Sequence, residues 1–220
     1  MKSTAPALFR FVKRLHRWNI RGSYRLLSAC RPYWINNLVI YKLSSSVSLA
    51  VPIWRKEHCL DLQDIVEYEA NLIEVFSSAL RPLSKVTLFD CGADIGLFSA
   101  VVCSRTDRVA RVLAFEPNPD IQAVFRRNIE SLPNGEPHAL AISNFEGFGT
   151  LETPGYDNSE HARYLAPAQS GIRVATLDSF GVFGGDIAIK IDVEGEELGV
   201  LRGASETIRQ ASHCVLSLEV

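Results

Sequence analysis

The sequence predicts an α/β domain with a central, mainly parallel sheet and helices on both faces. Three observations carry this prediction. From Lys85 onward, short apolar runs alternate with helical patterns. Those runs are nearly continuous in apolar residues, as strands covered on both faces require. The first of them enters a helix through a glycine turn, "LFDCGADIG" (88–96), the connection that opens nucleotide-binding α/β folds.

Each element follows from local pattern. "NLVIYKL" (37–43) and "SVSLAVPIW" (46–54), separated by serines, read as a β-hairpin. From Leu62, "QDIVEYEANLIEVFSSAL" carries apolar residues at helical spacing and closes before Pro82. Strand "KVTLFD" (85–90) leads to helix "GLFSAVVCSR" (96–105), and strand "ARVLAFE" (110–116) to helix "PDIQAVFRRNIESL" (119–132). Pro119 suits a first helical turn. "PHALAIS" (137–143) is the third strand and "DIAIKID" (186–192) the fourth. Helix "EELGVLRGASETIRQ" (196–210) then precedes a fifth strand, "HCVLSLEV" (213–220). The insert at 148–180 reads as a small β-ribbon at its ends with a polar centre. It leaves the sheet where ligands bind in such folds, so it reads either as a cover for a substrate or as a surface excursion.

Charge divides the chain. The first 56 residues hold 11 Lys/Arg and no Asp or Glu, and the rest holds 12 against 25 acids. Residues 1–60 therefore read as a basic arm with its hairpin, and 61–220 as the principal domain. At about 100° per residue, Leu8, Phe11, Val12, Leu15 and Trp18 share one helical face. Arg10, Lys13, Arg14, Arg17 and Arg21 fill the other. Three readings of this helix stand: contact with an anionic membrane surface, packing on the domain, or an organelle transit peptide. Nucleic acid fits less well, because the body is acidic and no recognition motif appears. No apolar run is long enough to span a membrane. The five cysteines, Cys30, Cys59, Cys91, Cys103 and Cys214, form no C-x-x-C pair or metal-ligand spacing. They read as free thiols of a reducing compartment, which gives the expectation of a cytoplasmic protein, peripheral to a membrane if the arm serves that purpose, with no bound metal.

The glycine turn limits what it can hold. G-x-G-x-x-G is absent, and Asp94 lies inside the loop. A pyrophosphate beside that carboxylate meets repulsion on the order of 4 kcal/mol at intermediate dielectric. A cationic nucleoside such as S-adenosylmethionine meets attraction instead, from Asp90 and Asp94. Glu116 closes the second strand, where an acid accepts hydrogen bonds from ribose hydroxyls. In "IKIDVEGEE" (189–197), Lys190 and Asp192 share one face and Glu194 follows in the turn. A lysine within an apolar strand calls for a partner, Asp192 or Asp90. Strand order reversing between strands one and four sets this segment beside the glycine loop.

Taken together, "LFDCGADIGLFS", "AFEPNPDIQAVFRRNI", "VATLDSF" and "IAIKIDVEGEELGVLRGA" resemble the FkbM-type family of class I S-adenosylmethionine-dependent methyltransferases, from about Tyr68 onward. The resemblance implies a Rossmann-like fold and methyl transfer from S-adenosylmethionine, usually to a hydroxyl of a sugar, glycan or polyketide-like acceptor. Asp90, Gly92, Ala93, Asp94 and Gly96 match the family's first motif, Glu116 its ribose-binding acid, and Lys190, Asp192, Glu194 and Gly195 its fourth-strand signature. "EYE" at 67–69 is a looser match to the segment over the cofactor, which brings in Glu69. The family usually carries Asn at the position of Asp94. Its closing antiparallel strands have no counterpart before Val220, so a truncated domain or a shortened sheet with an open edge is expected.

The expected chemistry is in-line transfer of a methyl group, with Asp192 as general base, Glu194 next in line and Lys190 fixing the carboxylate. His161, in the insert, is a weaker candidate. The rival readings are an inactive or fragmentary binding module and, less favoured, an NAD-dependent oxidoreductase.

Overall fold

Five strands form a wholly parallel sheet in the order β11-β10-β3-β4-β5. They are β3 (Val86–Cys91), β4 (Val109–Phe115), β5 (Gly135–His138), β10 (Asp186–Ile191) and β11 (His213–Leu218). The computed structural model describes residues 7–18, 20–29, 38–52, 67, 69–152, 164–193 and 195–219.

The period of two along each strand divides the interior into two cores. Val86, Leu88, Val112, Ala114 and Ala188 face one of them. Phe89, Cys91, Leu113, Phe115, Ile187, Ile189 and Ile191 face the other. The first core is covered by α3 (Ala70–Leu80), α4 (Leu97–Arg105), α5 (Gln122–Glu130) and the hairpin β1 (Leu38–Lys42)/β2 (Ser48–Pro52). The second lies under α6 (Glu197–Gly203), α7 (Ser205–Gln210) and residues of a smaller sheet. Helices on both faces, a parallel sheet and the reversal of order beside β3 are as the sequence predicts. This is a Rossmann-like, doubly wound α/β architecture.

Several elements differ from expectation. The run 137–143 is two strands in two sheets. It supplies β5 to the central sheet and β6 (Ala141–Ile142) to a four-stranded sheet ordered β6-β9-β7-β8. The chain turns between them, with the Leu140 N–H donating to the His138 carbonyl at 3.0 Å, and an apolar run alone does not reveal such a turn. The insert's ends form β7 (Gly147–Glu152), β8 (Tyr164–Ala168) and β9 (Ile172–Ala175), with β7 antiparallel to both others. Its centre, with His161, lies outside the described residues. The helix expected over 196–210 breaks at Ala204, whose φ of −108° and ψ of 7° are not helical. Helix 119–132 begins as a 3₁₀ turn, Pro119–Ile121, whose Asp120 N–H donates to the Asn118 side chain. Of the helix expected from Leu62, the part described is Glu67 and α3.

The basic arm opens with α1 (Ala7–Arg17) and α2 (Ser23–Ala29). Phe9 and Val12 are fully buried in the first core, so α1 packs on the domain. The buried stripe is rotated from the expected one: Phe11 and Trp18 are 59% and 68% exposed, whereas Lys13 is buried. The packing direction follows Phe9, which hydrophobic periodicity assigned to neither face.

Among the described residues β11 has one neighbour, β10, and its Leu216 and Leu218 are exposed. Cys91, Cys103 and Cys214 are free. Cys214 is exposed on that edge strand rather than in the core. Burial pushes the Cys103 thiol up to about 12. No helix among the described residues is long and apolar enough to cross a membrane.

Candidate active site

The site lies at the carboxyl ends of β4, β3, β10 and β11, where β3 meets β4 on one side and β10 on the other. Each of these strands ends at or beside an acid: Glu116, Asp90, Asp192 and Glu219.

The glycine loop is fixed by its backbone. The N–H groups of Gly92 and Ala93 both donate to the Phe115 carbonyl at 3.0 Å. Gly92 has φ +77°, and a Cβ there would run into the carbonyl oxygen of Asp192. Gly96, at φ +79°, precedes α4 and packs against Ile129. Between them Asp94 adopts φ 53°, a left-handed conformation that Asp tolerates better than most residues. The turn brings β3, β4 and β10 within backbone contact.

Glu116 secures the same loop. Its Oε2 accepts the Asp94 N–H at 2.9 Å and its Oε1 accepts the Asn118 N–H at 2.8 Å. The side chain is buried, so these charge-assisted bonds are little screened.

In the register of β10 on β3, Lys190 is opposite Asp90. Its ammonium donates to Asp192 Oδ2 at 2.7 Å and to the Gly92 carbonyl at 3.3 Å, and lies 3.9 Å from Asp90 Oδ1. It also stands 5.7 Å from the centre of the Phe98 ring. Asp90 is fully buried and accepts the Ser99 hydroxyl at 2.6 Å. Burial raises its pKa, against the opposing pull of Lys190 and Ser99. The lysine inside an apolar strand is thus satisfied by both carboxylates that the sequence offered as partners.

Glu219, just beyond β11, completes the group and was not foreseen. Its carboxyl is pushed up by the charge of Asp192, by burial, by a hydrogen bond with Asp192 and by Glu69, while Lys190 pulls it down. Those interactions place Asp192, Glu219, Glu69 and Lys190 in one neighbourhood. Glu69 caps α3 in a left-handed conformation, φ 42°. The signal for Glu219 was present in the sequence as an acid ending an apolar run, the same sign that marks Glu116. Glu194 lies outside the described residues.

Two other residues escaped the sequence reading. Asn128, buried on α5, donates from Nδ2 to the carbonyls of Ala50 and Ile95 and accepts the Ala50 N–H at Oδ1, all at 2.8 Å. It ties the hairpin to the glycine loop. His138, at the end of β5, stacks on Phe115 with ring centres 5.1 Å apart and meets the edge of Phe180. Its Nε2 is buried without a hydrogen-bond partner. Among the described residues no cluster of His, Cys, Asp and Glu could hold a metal ion.

The sequence is similar to those of known proteins. The protein named hexuronic acid methyltransferase AglP, from Haloferax volcanii, is 29% identical over 184 residues, which covers 81% of this chain and 71% of that one. The crystal structure of methyltransferase FkbM from Methylobacillus flagellatus KT aligns at 22% identity and a TM-score of 0.39. That alignment covers 56% of this chain but spans only 29% of the solved one, and a likeness so slight has no bearing on the fold. The methyltransferase FkbM domain matches residues 90–220, more than half of the chain and all four strand-end acids, and on that match the chain belongs to the FkbM methyltransferase family.

Proposed function

We propose that this protein transfers a methyl group from S-adenosylmethionine to a hydroxyl oxygen of a sugar-type acceptor. The observation that carries the reading is the Lys190–Asp192 pair, 2.7 Å apart, at the strand end that touches the glycine loop. The residues present fit the cofactor. Glycine at position 92 lets the turn pass directly against the Asp192 backbone, Asp90 Oδ1 is buried without a hydrogen-bond partner, and Asp90 with Asp94 offers negative charge to a ligand that carries an ammonium and a sulfonium. When bound, S-adenosylmethionine supplies an electrophilic methyl group.

The chain's own residues supply the rest. Asp90 and Asp94 attract the cationic end of the cofactor, and Glu116 accepts from the ribose hydroxyls. Ala93 and Gly96 shape the glycine turn, and Glu69 stands near Glu219. Asp192 takes the proton of the acceptor hydroxyl, a step contributing roughly 10²–10⁴-fold. Lys190 fixes the orientation of Asp192. Glu219 lies beside this pair, its pKa raised chiefly by the charge of Asp192. Support for a sugar-type acceptor comes from the relative's name, hexuronic acid methyltransferase.

Calorimetry with S-adenosylmethionine, S-adenosylhomocysteine and NAD tests the cofactor. Binding of the first two and not the third is expected; binding of NAD, or of none, sinks the reading. Mass spectrometry of hexuronic-acid glycans incubated with enzyme and cofactor tests the acceptor, with one added methyl per acceptor expected.

A further inference from the structure

The N-terminal helices bury one side and leave another that is basic and aromatic. At about 100° per residue, Arg10, Phe11, Arg14 and Trp18 fall within about 100° of each other, opposite Phe9 and Val12. Trp18 extends α1 by one position, its N–H donating to the Arg14 carbonyl at 3.1 Å. Phe9 and Val12 are 0% exposed, whereas Phe11 and Trp18 are 59% and 68% exposed. Arg10 and Arg14 are exposed between them, as are Arg21 and Arg25 in the following turn and α2.

Domain packing therefore accounts for Phe9 and Val12 and not for Phe11 or Trp18. Large aromatic side chains held in water beside arginines are unfavourable for a free surface. They suit a bilayer interface, where rings enter the headgroup boundary while guanidinium groups meet lipid phosphates. The charge of the arm is complementary to such a surface: 11 Lys/Arg and no acid in the first 56 residues. Nucleic acid would use the arginines and leave the two rings unexplained.

We propose that the outward face of α1, with the adjoining turn and α2, docks the protein peripherally on an anionic phospholipid bilayer. The inference stands independently of the methyl-transfer reading.

Flotation of the full chain with vesicles tests it, comparing phosphatidylcholine alone with phosphatidylcholine containing about 30% phosphatidylglycerol. Binding to the anionic vesicles only, weakened by salt, is expected. Arg10→Glu/Arg14→Glu and Phe11→Ser/Trp18→Ser should each lower the partition coefficient about tenfold or more. All four positions are exposed, so unchanged thermal melts and circular dichroism will certify folding. Equal binding to both vesicle types, or to neither, overturns the proposal. So does loss in the arginine variant alone. Tighter binding to duplex RNA or DNA that ignores Phe11→Ser/Trp18→Ser overturns it in favour of nucleic acid. Self-association abolished by that same variant overturns it in favour of a second copy.

Discussion

The carboxylate of Glu116 accepts the backbone N–H of Asp94 at 2.9 Å, a bond between residues 22 positions apart. It gives one side chain two tasks: shaping the glycine loop and, on the reading proposed above, meeting the ribose. Glu116→Ala leaves two partly buried N–H groups without their acceptor, which costs about 1–3 kcal/mol. It should also weaken S-adenosylmethionine binding strongly. Glu116→Gln, which keeps one acceptor oxygen, should fall between the two. Urea unfolding and calorimetry on both variants check this; an Ala variant of full stability and affinity contradicts it.

Asp192→Asn separates chemistry from binding. The amide keeps the shape of the side chain but cannot take a proton, so turnover should fall roughly 10²–10⁴-fold. Cofactor affinity should change only a few-fold, because Asp90, Asp94 and Glu116 remain. Single-turnover methyl transfer measured beside calorimetry gives both quantities, and unchanged turnover removes Asp192 from the mechanism.

Part of this site was legible in the sequence for a physical reason. Acids that end apolar strands have nowhere to point but the open end of a parallel sheet, so Asp90, Glu116 and Asp192 announced themselves. Lys190 did so by the cost of a charge in an apolar run. Asn128 was not legible. On its helix it reads as one more polar residue, and its burial depends on the hairpin docking 78 positions away in sequence. Periodicity ranks a helix's apolar stripe but not its azimuth against a neighbour, so α1 was turned wrongly. The division of 137–143 between two sheets escaped for a similar reason, since the turn at Leu140 is made of apolar residues.

Asp90 gives the stability profile a definite sign. Its pKa in the folded protein lies above the ordinary 3.8, so the folded state holds that proton more tightly than the unfolded chain. Its contribution is therefore most favourable below the unfolded pKa and declines as pH rises through the folded one. Asp90→Asn removes this slope while Lys190 keeps Asp192. Relative to the parent, the variant should gain stability as pH rises from 3.8, and it should lose affinity for S-adenosylmethionine. Thermal melts of both proteins across pH check the first statement and calorimetry the second; a stability difference independent of pH refutes the assignment.

Asn128 is the test of whether the hairpin supports the cofactor loop. Its side chain serves two backbone groups of Ala50 and the carbonyl of Ile95. Asn128→Ala strands all three in a buried place, a loss on the order of 3 kcal/mol or more. Asn128→Asp is expected to be worse, because it turns a carboxylate oxygen toward two carbonyls. Lost stability alone would say little about the loop. The control is Leu177→Ala, at a fully buried position in the core on the other face of the sheet, where truncation costs about 2–5 kcal/mol. At a temperature where both variants are folded, Asn128→Ala should bind S-adenosylmethionine more weakly than Leu177→Ala does. Equal affinities would mean that the hairpin stabilises the domain without shaping its loop.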